Sequence, residues 1–191
     1  ALACQGRLGG PEASAVAHEA LRIGRVLGKT DPRPLVIALV SLGATASAQG
    51  NSSQAYDSFR EATEVCSSLG RIDSPGRRTT LKSLVDTWST FQDTALTRRA
   101  VHDVLRTLLA QRDSDPRFTA LLLTMFGLRA GQRGYLGPAR QALHAALVLQ
   151  TQLNADPKDL AFAESNLALS FGPTDPDSAL LLTSRALGRV D

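Results

Sequence analysis

The apolar positions of this chain recur at the three-to-four residue spacing of amphipathic helices, and no strand pattern is visible. Residues 39–62 set the type. Leu39, Leu42, Gly43 and Ala46 mark one face of a first segment, and Ala55, Phe59 and Ala62 mark one face of a second. Gly50-Asn51 between them reads as a short turn, with Ser52 or Ser53 placed to cap the second helix by accepting from its free N–H groups. Small residues on both segments predict two antiparallel helices that cross closely. A glycine inside a helix costs about 1 kcal/mol relative to alanine. The recurrence of Gly43 at Gly127 therefore predicts a packing requirement.

The same pattern returns along the chain, as repeat architectures require. A shift of 84 residues brings Leu123, Phe126, Gly127 and Ala130, then Ala139, Leu143 and Ala146. The interval between holds Leu81, Leu84, Val85 and Trp88, followed more loosely by Thr97, Val101 and Val104; upstream, Ala13, Ala17 and Ala20 take the second-helix slots. Asp31, Asp73 and Asp115 stand 42 residues apart and Asp156 follows 41 later, with proline directly after three of the four. Proline stops the preceding helix and suits the first turn of the next. The chain thus divides as one array, 1–31, 32–74, 75–115, 116–156 and 157–191. Helix pairs are predicted at 33–49 and 52–70, 77–92 and 94–112, 116–132 and 136–154, and 157–171 and 177–190. A helix at 11–28 completes an earlier pair.

These residues resemble the tetratricopeptide repeat, whose signature runs W-x2-L-G-x2-Y, then A-x3-F, then P. Leu39 stands in the Trp slot and Ala46 in the Tyr slot. Residues 123–146 match comparably, and residues 81–104 lack the Gly and the later Ala. The usual period is about 34 residues; the longer interval here is similar to kinesin light chain and to many bacterial arrays. The resemblance implies an all-α, right-handed α-α superhelix of antiparallel helix pairs.

Composition narrows the function. The 191 residues are 43% hydrophobic, 20% charged and only 5% aromatic, with a net charge of +3. Of the 21 basic residues only Lys29, Lys82 and Lys158 are lysine, but acidic residues are interspersed and no aromatic-plus-basic motif accompanies them, so nucleic acid is not an expected partner. No apolar run reaches the roughly 18 residues of a membrane span. Cys4 and Cys66 form neither a disulfide framework nor a metal spacing, which points to a reducing, cytoplasmic setting. The start of the chain lacks Met and a signal-peptide core, so a segment of a longer protein is expected.

Residues arranged for chemistry are few. His18, His102 and His144 occupy equivalent slots, but such slots lie two helices apart, whereas metal ligands converge within about 2 Å of one ion. Gly-rich phosphate loops, G-x-S-x-G, HExxH and CxxC are absent. The three glycines of 131–137 fit a turn between paired helices. Arg77, Arg78 and Lys82 gather near the start of one helix. Trp88, in the Tyr slot, is expected in the core. No catalytic residue, cofactor or metal is expected, and the chain is not read as an enzyme.

The resemblance further implies that the first helices line a groove for a peptide or helix. Rotating by about 120° from the signature stripe selects Ile37, Val40, Ala44 and Ser47, then Thr79, Lys82 and Asp86. It next selects Leu121, Thr124 and Leu128, and in the last repeat Glu164, Ala168 and Phe171. This face is apolar to mixed and suits an amphipathic or extended segment. The expected function is a non-catalytic protein-protein interaction scaffold that docks another protein, a peptide or a neighbouring effector domain. The alternative is a peptide-ligand sensor domain of a bacterial regulatory protein; such a sensor needs Asn or Gln pairs on the inner faces, and Asn166 is the one Asn on a first helix.

Overall fold

The computed structural model describes residues 11–68, 74–88, 94–113, 115–172 and 174–190. Cys4 and Asp73 lie outside them, as do the side chains of Cys66 and Arg77. The described residues form helices joined by turns, without strand: α1 (Pro11–Leu27), α2 (Arg33–Ala48), α3 (Ser52–Ser68), α4 (Ser74–Trp88), α5 (Thr94–Ala110), α6 (Pro116–Gln132), α7 (Leu136–Gln152), α8 (Pro157–Phe171) and α9 (Pro176–Leu187). The predicted boundaries hold to within a few residues where they fall on described residues; α4 begins at Ser74, three residues early, and the predicted helix ends at 70 and 92 lie outside the described residues. Sequence neighbours pack on each other, α2 on α3, α6 on α7 and α8 on α9. This is an all-α, α-solenoid arrangement of helix pairs.

Aspartate-proline pairs set the helix starts. Asp115 accepts from Phe118 N at 3.3 Å and Asp156 from Lys158 N at 2.8 Å, each with proline in the first turn. Asp31 differs: its carboxylate is taken up by the Arg33 guanidinium as well as by Arg33 N. The second helix of the first full pair is capped one residue earlier than the serines predict. Asn51 Oδ1 accepts from Gln54 N at 3.2 Å. Gly50 precedes it in the left-handed region, φ 76°, where a side chain would be strained, so Asn51 becomes the last residue before the helix.

Asp175, at the start of α9, shows what such a cap implies for pH. Its carboxylate accepts from the Ser178 hydroxyl at 2.6 Å and from Ser178 N at 3.1 Å. The hydroxyl first, and then the N–H, hold its carboxyl below the ordinary value. A lowered folded-state value means that the cap's stabilisation is complete above about pH 4 and is lost as pH falls through the lowered value. Asp175→Asn should flatten this acid limb of the stability curve, as helical circular dichroism followed from pH 5 to pH 2 will register.

Close crossing is the reason for the small residues. A Cβ added at Gly43 would lie 2.8 Å from Phe59 Cζ, and one at Gly127 only 2.6 Å from Leu143 Cγ. Ala55, Ala62, Ala139 and Ala146 are all buried, so each pair closes alanine and glycine against one larger side chain. Leucine in place of Ala55 or Ala139 should overpack the pair and cost about 1–3 kcal/mol. The same change at exposed Ala48 should be nearly neutral. Chemical denaturation of the three variants checks this; equal shifts would contradict the crossing geometry.

The chain divides into two compact units, Ala1–Ala100 and Val101–Asp191. The first is built around Leu39, Leu42, Phe59, Leu81, Leu84 and Trp88, the second around Leu108, Leu122, Leu123, Phe126 and Leu143. Among the described residues no helix is long and apolar enough to cross a membrane.

Candidate docking face

In the first unit the outward stripe of α2 presents Ile37, 67% exposed, with Val40, Ala44 and Ser47 half-buried beside it. On α4, Thr79 and Lys82 are exposed and Asp86 is half-buried, its carboxylate 2.5 Å from Lys82 Nζ. Val40 and Ala44 also line a cleft of about 810 Å³ between α2 and α1, closed on the other side by Ala13, Val16 and Ala17.

In the second unit the stripe divides. Leu121 is 53% exposed and Leu128 is half-buried, but Thr124 is buried, with its hydroxyl donating to Ala120 O. Glu164, Ala168 and Phe171 do not form an open stripe on α8: Glu164 is fully buried, Ala168 is buried and Phe171 is half-buried. The cause is register. The caps Asp115 and Asp156 fix the offset between α6 and α8 at 41 residues, so the counterparts of Leu121, Thr124 and Leu128 are Phe162, Ser165 and Leu169. All three are exposed, Phe162 to 59% and Leu169 to 75%. Ile37, Leu121 and Phe162 hold one slot on three first helices, and each is largely open.

The same register explains Glu164. It fills the slot held by Leu39, Leu81 and Leu123, each of them buried. Its carboxylate accepts from Arg189 Nε at 2.8 Å and from the second Arg189 nitrogen at 3.0 Å, with Arg185 Nε at 3.6 Å. The hydrogen bond that Arg189 donates to Glu164 raises the Arg189 pKa above its ordinary value. A bidentate guanidinium pair of this kind satisfies a buried carboxylate. Phe171 is likewise engaged: the Arg140 guanidinium lies 4.7 Å from its ring centroid, and Arg140 Nε donates to Ser170 O at 2.9 Å. That stack ties α7 to the end of α8.

Between α6 and α8 the second unit holds a cleft of about 560 Å³, with Leu121, Leu153 and Phe162 among its apolar walls. Arg117 from α6 and Asp156 and Asp159 from α8 stand around it. Phe162 and Leu169 were out of reach of the apolar pattern; the 41-residue step between Asp115 and Asp156 was the signal that locates them. The three histidines are exposed, and His18 approaches Gln54 Nε2 at 3.4 Å. Among the described residues no group of three His, Cys, Asp or Glu is arranged to hold a metal ion.

The chain is similar in structure to BtubC (BKLC) from P. vanneervenii, with a TM-score of 0.52 and 18% sequence identity over 92% of this chain and 71% of that one. This likeness is one of fold alone. No protein-family model matches the chain. No curated protein matches it.

Proposed function

We propose that the chain is a non-catalytic interaction scaffold of the tetratricopeptide type, whose first helices dock a segment of another protein or of a neighbouring domain. The observation that carries this reading is the repeated exposure of a large apolar residue at one slot, Ile37, Leu121 and Phe162. A solenoid has cores for such side chains, and leaving them open lowers solubility unless something covers them. The sensor alternative draws less support: Asn166, the one Asn on the described first helices, is 7% exposed.

The test compares capture with folding. Leu121→Glu together with Phe162→Glu should abolish capture of a partner by in-cell crosslinking, while helicity and melting stay close to those of the unaltered protein. His102→Ala with His144→Ala should leave capture unchanged. Partner loss confined to the histidine variants would refute the docking face.

A further inference from the structure

We infer that the α6–α8 cleft is selective in charge, and takes a peptide segment in which a large apolar side chain stands beside lysine or arginine. This rests on the docking-face reading above and adds the chemistry of the occupant. The cleft, about 560 Å³, has room for one or two side chains rather than a whole helix. Leu121, Leu153 and Phe162 offer an apolar contact, and the exposure of Leu121 and Phe162 means that contact is largely unused among the described residues.

The rim sets the charge. Asp156 and Asp159 line the α8 side, and Arg117 is the one cation in the lining; Lys158 lies outside it. One oxygen of Asp156 caps α8 through Lys158 N, which leaves its second oxygen open. Asp159 and Arg117 have no side-chain partner among the described residues. Gln150, also in the lining, adds a buried amide oxygen with no hydrogen-bond partner. Carboxylates therefore outnumber the cation two to one, and the local charge is negative within a chain whose net charge is +3. A cationic side chain meets two carboxylates there and one like charge; an acidic one meets the reverse. Oppositely charged groups at such a rim set which partner is admitted more than how tightly it is held.

Fluorescence anisotropy with three labelled Gly-Ser dodecapeptides tests this, their central blocks being Leu-Leu-Lys-Arg, Leu-Leu-Glu-Asp and Ser-Ser-Lys-Arg. The first should bind roughly tenfold tighter than either of the others at 50 mM salt, with the preference shrinking as salt screens the rim. Asp159→Lys should reverse the order of the first two, Asp159→Asn should erase it, and Phe162→Ser should weaken the first by about tenfold; circular dichroism verifies that each variant is folded. Equal binding of the two leucine peptides, or an order indifferent to Asp159→Lys, overturns the charge selectivity. If Phe162→Ser still weakens both leucine peptides, the docking face survives that result. Failure of all three peptides to bind at millimolar concentration also overturns the inference, whereas the docking face itself falls only if Leu121→Glu with Phe162→Glu retains partner capture.

Discussion

Replacing Gly127 with alanine should destabilise the protein, although alanine is the better helix former. Inside an exposed helix the change would gain about 1 kcal/mol. At this position the new methyl would lie 2.6 Å from Leu143 Cγ and 3.2 Å from the Ala139 carbonyl oxygen. The first is the branch point of a buried side chain and the second is backbone, so neither can swing aside without moving α7. Overpacking of this kind costs about 1–3 kcal/mol and should offset the propensity gain or exceed it, with larger side chains faring worse. Gly131, one turn further along α6, is the control. A methyl there meets only Ala139 Cβ at 3.7 Å, an ordinary contact, and Gly131→Ala should stabilise by about 0.4–1 kcal/mol. Urea denaturation of the two variants should therefore move in opposite directions, and a gain from both would contradict the tight crossing.

The largest loss is expected from stripping Glu164 of its partners. With Arg185→Ala and Arg189→Ala together, a carboxylate at zero exposure in the intact protein would lose both cations beside it. Breaking a buried pair in this way typically costs about 3–5 kcal/mol. Amide hydrogen exchange should show the loss concentrated in α8 and α9, because repeat stability is largely a nearest-neighbour quantity. Glu164→Leu should behave differently. It installs the residue already present at Leu39, Leu81 and Leu123, removes the buried charge, and leaves two arginines that are 58% and 30% exposed and free to hydrate. Apolar replacement of buried ion pairs is often neutral or stabilising, so this variant should melt no lower than the original. Equal destabilisation by the double arginine variant and by Glu164→Leu would mean that shape, rather than charge, dominates the site.

The contrast between Glu164 and its leucine counterparts also explains what the sequence concealed. The helix pairs were legible because Asp-Pro pairs stop one helix and start the next, and because Gly43 and Gly127 mark crossings that need small residues. Both signals are local and depend on backbone chemistry. The open face of α8 was not legible from apolar pattern alone, since a glutamate stands where the core stripe calls for leucine. Matching apolar residues then slides the register by two positions and selects Glu164 and Phe171 in place of Phe162 and Leu169. The far-off Arg189, with Arg185 beside it, makes a carboxylate acceptable in that slot, and no spacing rule links residues 25 apart. The Asn51 cap was missed for a smaller reason: Ser52 and Ser53 have the same chemistry, and the left-handed Gly50 decides among the three.

A solenoid is ordinarily modular, in that one repeat can be duplicated, deleted or exchanged for another with little penalty. The Glu164–Arg189 pair withdraws that freedom from the final repeat. A copy of α8 moved elsewhere would carry a naked charge into an apolar seam, whereas a leucine-bearing helix in place of α8 would leave arginines that solvent can hydrate. Grafting α8 into another array should therefore succeed only when residues 157–189 travel together, so that the carboxylate arrives with its arginines.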